Sequence, residues 1–154
     1  MPKSSSKKPA HDDRRYPSRP FAAIGIVIWR EGKVLLIRRG KAPRAGEWGL
    51  PGGMQDLGET IIEAVVREAR EETGLDVTPL GIITALDGIT RDVKGKVEFH
   101  YTLIEVAAES HEGKAQALDD AHEVRWASLD EVEELCGWAE VARVVRLSAL
   151  QRAL

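Results

Sequence analysis

Three glutamates, Glu68, Glu71 and Glu72, are spaced so that a helix would bring their carboxylates onto one face. Positions i, i+3 and i+4 share a narrow stripe of an α-helix, where like charges repel one another. Carboxylate oxygens are hard ligands that suit Mg²⁺ or Mn²⁺, and these ions also bridge phosphate oxygens. The pattern therefore indicates a metal site for phosphate chemistry, with a solvated acidic surface as the alternative.

Glycines flank this acidic segment and support the first interpretation. Gly52-Gly53 precede it and Gly74 follows it, so that backbone can approach a ligand closely beside the carboxylates. The sequence Thr60-x-x-Glu63 predicts a capping box, and Gly74 predicts a left-handed end, for a helix over residues 60–73. Three apolar residues are expected to pack this helix against the rest of the domain: Ile62, Val66 and Ala69.

Residues 53–75 resemble the Nudix box, G-x5-E-x7-R-E-U-x-E-E-x-G-U, in which U is an apolar residue. Every position matches, from Gly53 through the Arg67-Glu68 pair to Leu75. Weaker family features are Trp48-Gly-Leu-Pro51 before the box and Glu123-x-x-Trp126 after it, so the resemblance covers about residues 20–135. It implies a Nudix-like α/β/α sandwich, with a mixed β-sheet and helices on both faces, and a hydrolase acting on phosphoric anhydride bonds.

The resemblance also implies roles for individual residues. Mg²⁺ or Mn²⁺ would be held by four groups, the Gly52 carbonyl and the side chains of Glu68, Glu71 and Glu72. Arg67 would orient this acidic row, Glu59 would support the turn from loop to helix, and Gly74 would close the helix. The residues implied to act in catalysis are Arg67, Glu71 and one acid of a late loop, for which Asp120 is favoured over Asp119 and Glu123.

The substrate implied is a small nucleotide. Overall, the chain is similar to the ADP-ribose pyrophosphatase-like branch, whose products are AMP and ribose 5-phosphate. A (d)NTP pyrophosphohydrolase of the nucleotide-sanitising type and a non-catalytic nucleotide sensor stay open as alternatives, because residues 88–92 lack a proline that marks one ADP-ribose-cleaving group. The candidates for substrate binding surround the glycine-rich loop and are Arg38, Arg39, Trp48 and Gly53.

Charge and composition restrict the partners. Residues 1–20 carry a charge of +4 and the remainder carries −7, so the body is a poor partner for a nucleic-acid polymer. Cys136 is the one cysteine, and the sequence has neither a signal segment nor an 18-residue apolar stretch. We therefore expect a cytoplasmic protein that does not enter membranes, and a homodimer is left open.

The elements that would carry these residues follow from the pattern of apolar residues and turns. Residues 1–20 are expected to form a flexible basic arm, and residues 21–154 the hydrolase domain. Strands are predicted over 21–29, 34–38, 77–90, 96–106 and 122–127, and residues 42–53 are predicted to form a loop. After the helix over 60–73, a helix capped by Ser128 and another over 138–154 complete an α/β domain.

Overall fold

The computed structural model describes residues 13–153. Within this range, three helices and seven strands follow one another in the order β1 (Phe21–Arg30), β2 (Lys33–Arg39), β3 (Trp48–Gly49), β4 (Gly52–Met54), α1 (Ile61–Thr73), β5 (Thr78–Arg91), β6 (Val97–Glu109), β7 (Ala121–Ala127), α2 (Leu129–Leu135) and α3 (Ala139–Arg152). In this part of the chain no helix is both long enough and apolar enough to cross a bilayer.

The strands form one mixed sheet in the order β3-β2-β1-β6-β5, with β4 paired to β1 and β7 paired to β2. β1 runs parallel to β6, whereas the other pairs are antiparallel. The far end of β1 pairs with β2, and its beginning, Ala23 to Gly25, pairs with β4. β4 is thus held against the beginning of β1, and it is the last strand before the acidic helix α1.

Two apolar cores lie on opposite faces of the sheet. On one face, Ala64, Val65 and Ala69 of α1 pack with the even-numbered residues of β1, such as Ile26. On the other face, Val141, Val144 and Val145 of α3 and Val132 of α2 pack with odd-numbered residues, such as Val27. The prediction of a mixed sheet with helices on both faces is confirmed.

Thr60 and Gly74 cap helix α1 as its sequence predicts, but only the Thr60 half of the predicted capping box forms, and the buried face is rotated from the predicted one. The Thr60 side chain accepts a hydrogen bond from the backbone N–H of Glu63, and Gly74 adopts φ 72°. Ile62 is 45% exposed, and Val66 is partly buried, so the prediction that they pack this helix was wrong. Ala64 and Val65 pack against the sheet together with Ala69. Glu68 and Glu72 are buried on the same side of the helix, so the buried face is centred on these residues.

The glycine-rich segment 42–53 is more ordered than a loop. Trp48–Gly49 pairs with β2, and Gly52–Met54 pairs with β1, so the prediction of a loop was wrong at its end. Strands this short leave no alternating pattern in the sequence, and their pairing depends on partners that are distant along the chain. Pairing of β4 with β1 fixes Gly52 and Gly53 at the start of the acidic segment.

Residues 1–12, which hold most of the predicted arm, lie outside the described residues. Residues 13–20, which the sequence assigns to the same arm, make contacts with the β5–β6 hairpin. The Tyr16 backbone N–H donates to the Glu98 carbonyl at 2.7 Å, and its hydroxyl donates to Asp92 at 2.9 Å. The Arg14 guanidinium donates to the Tyr101 hydroxyl and to the Ala42 carbonyl, both at 3.1 Å. No local pattern in residues 13–20 predicts these contacts.

Candidate active site

A cavity of about 300 Å³ lies beside β4 and is lined by residues of β1, β4 and α1. Its charged lining residues include Arg14, Arg39, Glu68 and Glu72. Its apolar lining consists largely of leucine, valine and tryptophan side chains contributed by β5, β6, α3 and the segment before β4. A cleft that combines charged and apolar walls suits a ligand that has an ionic part and a ring.

Glu68 and Glu72 are the two acidic-row side chains that reach this cavity. They are 9% and 7% exposed, although they lie on a helix whose other face is solvated. Burial raises the pKa of Glu72 to about 7, against a hydrogen bond that its Oε2 accepts from the Gly52 N–H at 2.9 Å. Burial also raises the pKa of Glu68. Two carboxylates held out of water next to each other are poised to bind a cation, which would relieve both penalties.

Arg67 connects the helix to the loop before it. Its guanidinium donates to Glu59 at 2.6 and 2.9 Å, to Glu68 at 2.8 Å, to Glu71 at 3.1 Å and to the Met54 carbonyl at 3.0 Å. The bonds from Arg67 to Glu59, together with one that Glu59 accepts from the Asp56 backbone N–H at 3.0 Å, hold the pKa of Glu59 down, at about 2. The predicted contacts of Arg67 with the acidic row and of Glu59 with the turn are therefore present in the structure.

Glu71 is the one member of the acidic row outside the cavity lining. It is exposed, and it shares the Arg67 Nη1 atom with Glu68, at 3.1 and 2.8 Å. Within residues 13–153 no three acidic, histidine or cysteine side chains converge closely enough to form a complete metal site. Of the three predicted carboxylate ligands, Glu68 and Glu72 are thus buried in the cavity lining, whereas Glu71, at the i+3 position, is exposed beside Glu68.

The backbone beside Glu68 and Glu72 fits a bound cation. A Cβ atom on Gly53 would overlap the Glu68 carboxylate, and one on Gly52 would overlap the Ile24 carbonyl. Only glycine therefore lets the β4 backbone approach the two carboxylates this closely. Carboxylate oxygens such as those of Glu68 and Glu72 are donors that Mg²⁺ and Mn²⁺ prefer.

The late loop contributes Asp119 and Asp120 to the cavity, but not Glu123. Glu123 pairs with Arg38 at 3.3 Å, and Asp120 pairs with Lys41 at 2.6 Å. The Asp119 carboxylate is close enough to Glu68 and Glu72 for its charge to raise the pKa of both. Of the acids considered from the sequence, Asp119 is thus the one directed toward the acidic helix.

The predicted substrate-binding residues divide in the same way. Arg39, Trp48 and Gly53 line the cavity, whereas Arg38 lies outside it. Arg39 is held by the Pro43 carbonyl, which accepts from its Nε at 2.7 Å. Its burial lowers the pKa of the guanidinium, and the Glu72 charge opposes that effect. The Arg39 guanidinium therefore lies in the cavity lining within electrostatic reach of the buried Glu72 carboxylate.

Two charged residues, Arg14 and Glu105, are among the cavity residues that the sequence did not point to. Arg14 lies in the segment assigned to the arm, and Glu105 lies inside the apolar strand β6. Glu105 is 4% exposed, and burial raises its pKa to about 7. Alternation along β6 could have revealed it, because residues 101, 103, 105 and 107 share one face and a charge among them must point inward.

Comparisons with known proteins point to one family. The family model described as NUDIX domain matches residues 19–147. An ADP-ribose pyrophosphatase from Methanocaldococcus jannaschii is 35% identical over 116 residues, which are 75% of this chain and 66% of that protein. The human 8-oxo-dGDP phosphatase NUDT18 is 39% identical over 59 residues, which are 38% of this chain and 18% of that protein.

A solved structure supports the fold. The crystal structure of a MutT Nudix hydrolase from Burkholderia pseudomallei superposes with a TM-score of 0.64 at 35% identity, covering 73% of this chain and 85% of that one. The curated relatives described above are longer than the matched region, which spans 66% of one and 18% of the other.

Proposed function

The chain belongs to the Nudix family, and from that premise we propose that it is a divalent-metal-dependent hydrolase of nucleoside diphosphate derivatives, with ADP-ribose or a related nucleotide sugar as substrate. The observation that carries the proposal is the pair of buried carboxylates, Glu68 and Glu72, at the mouth of a cavity that also exposes Arg39. Acids and a guanidinium together suit a diphosphate whose charge is partly neutralised by cations.

In this proposal Glu68, Glu72 and the β4 backbone would hold the metal, and Glu71 would act from outside the cavity through Arg67. A bound Mg²⁺ or Mn²⁺ would neutralise diphosphate charge and make a water more acidic. Arg39 pairs with a phosphate oxygen, and Asp119, in place of Asp120, is the late-loop acid that receives a proton from the attacking water. Water adds to one phosphorus, the bridging P–O bond breaks, and ADP-ribose yields AMP and ribose 5-phosphate.

The relative from Methanocaldococcus jannaschii, which is named an ADP-ribose pyrophosphatase, supports a nucleotide sugar as substrate. The match to the human 8-oxo-dGDP phosphatase favours a second candidate, an oxidised or ordinary nucleotide of the sanitising type. Both reactions break a phosphoric anhydride bond, so the two candidates differ in the group beyond the diphosphate and not in the metal site.

A substrate panel separates the candidates. Purified protein is assayed with Mg²⁺ and with Mn²⁺ on ADP-ribose, other nucleotide sugars, dinucleoside polyphosphates, and oxidised or ordinary nucleoside di- and triphosphates. The proposal expects AMP and ribose 5-phosphate from ADP-ribose as the fastest reaction. Faster release of pyrophosphate or phosphate from a nucleotide would establish the second candidate, and no turnover on any compound would favour a sensor.

A further inference from the structure

Glu105 has no part in the proposed reaction, yet it lies inside the cavity. Its Oε2 atom is buried and accepts no hydrogen bond from any residue between 13 and 153. In the parallel pairing of β1 with β6, Gly25 stands opposite it, and a Cβ on Gly25 would overlap the carboxylate. The carboxyl group therefore lies against bare backbone, within the lining of the cavity.

A buried acceptor without a donor costs free energy, so such a group calls for a partner. The cavity that Glu105 lines is also lined by apolar and aromatic side chains of one core cluster, namely Trp48, Leu86, Leu103, Trp138, Val141 and Val144. A ribose would bring several hydroxyl groups, each of which needs its own partner. A flat heteroaromatic ring with one N–H donor group fits the apolar walls and satisfies the carboxylate.

The position of Glu105 relative to the metal end also suits a nucleoside. Glu105 pairs with Gly25, Gly25 pairs with Gly52, and the Gly52 N–H donates to Glu72. Two neighbouring strand spacings separate Glu105 from Gly52, a distance of about 10 Å. A nucleotide with its diphosphate at Gly52 and Glu72 can therefore extend its base toward Glu105.

We propose that Glu105 determines base specificity by accepting a hydrogen bond from the exocyclic amino group of the substrate's nucleobase. This inference rests on the proposed function, because it assigns the nucleoside half of that substrate to the apolar end of the cavity. Since the acceptor is buried, the bond is stronger than one made at the surface.

The test compares ligands that differ only in the amino group. Binding of AMP and purine riboside 5′-monophosphate, and of GMP and IMP, is measured by calorimetry with Mg²⁺. At pH 8, above the pKa of about 7 that burial gives the Glu105 carboxyl, the parent protein is expected to bind the amino-bearing member of one pair at least about 10-fold more tightly, as a hydrogen bond to a charged group allows. In Glu105→Leu this preference should fall to about one. Glu109→Gln, a change on the same strand outside the cavity, should keep it.

A second variant covers the case in which Glu105→Leu does not fold. Glu105→Gln keeps the shape and a carbonyl acceptor but removes the charge, and its preference should fall below that of the parent. The inference is overturned if the parent shows no preference within either pair, or if whichever variant folds keeps the full preference. If the protein hydrolyses a compound of the substrate panel and the Glu105 variants keep the parent's amino-group preference, this inference is refuted and the proposed function is not. A preference that depends on Glu105, without hydrolysis of any anhydride, refutes the proposed function alone.

Discussion

Replacing Glu105 by glutamine should stabilise the protein at alkaline pH and have much less effect at acidic pH. Burial raises the pKa of this carboxyl from 4.5 to about 7. The folded protein therefore holds the proton more tightly than the unfolded chain does between these two values. The stability that comes from protonation is fully present below pH 4.5 and is lost as pH rises through about 7. Since one pKa unit corresponds to about 1.4 kcal/mol, the loss amounts to about 3 kcal/mol.

Urea unfolding at several pH values from 4.5 to 8 measures this directly. The free energy of unfolding of Glu105→Gln, minus that of the parent, should increase by about 3 kcal/mol across the range. Glu109→Gln is the control on the same strand, where a hydrogen bond from Arg152 lowers the pKa of the carboxyl. That control should not gain stability over the parent as pH rises. If the difference in the free energy of unfolding between Glu105→Gln and the parent stayed constant from pH 4.5 to 8, the pKa of Glu105 would not be raised by folding.

Three further substitutions test other parts of the structure. Arg14→Ala should raise KM about 10-fold with little change in kcat, because a cavity-lining cation is lost, whereas the exposed Arg19→Ala should leave both unchanged in steady-state assays. Arg67→Lys keeps the charge but cannot form the same fork of hydrogen bonds, so urea unfolding should show a loss of about 1–2 kcal/mol together with a lower kcat. Ser128→Ala removes the cap of α2 and should cost about 1 kcal/mol in the same unfolding assay, with kcat unaffected.

Local signals in the sequence were sufficient for most of the fold. The caps of α1 and α2 follow from Thr60, Gly74 and Ser128, whose side chains or backbone freedom act within a few residues. The long strands β1, β5 and β6 follow from their β-branched and apolar runs, with ends that differ by a few residues from the prediction. Such features depend on neighbours in sequence, so a single chain is enough to locate them.

The candidate site could be predicted only in part. Helical spacing correctly predicted that Glu68 and Glu72 lie together. It did not predict that Glu71 is exposed, because the three positions span about 100° of the helix surface and the boundary of the buried face falls between them. Arg14 and Glu105 reach the cavity through pairing of elements that are far apart in sequence. No local pattern encodes the close approach of Gly25 to Glu105, since it depends on the register of β1 against β6.

The most direct test of the account compares Glu72→Gln with Glu63→Gln, two equal changes on the same helix, in turnover of ADP-ribose and in thermal melts with and without Mg²⁺ or Mn²⁺. Glu72 faces the cavity, whereas Glu63 is exposed and does not line it. The account predicts that Glu72→Gln lowers kcat by about 10³ and loses most of the metal-induced stabilisation, which reaches about 2.7 kcal/mol in the parent at 100 times the dissociation constant. Glu63→Gln should keep both. Full activity in Glu72→Gln, or a parent whose turnover and melting temperature do not respond to either metal, would contradict the assignment of this cavity as a metal-dependent hydrolase site.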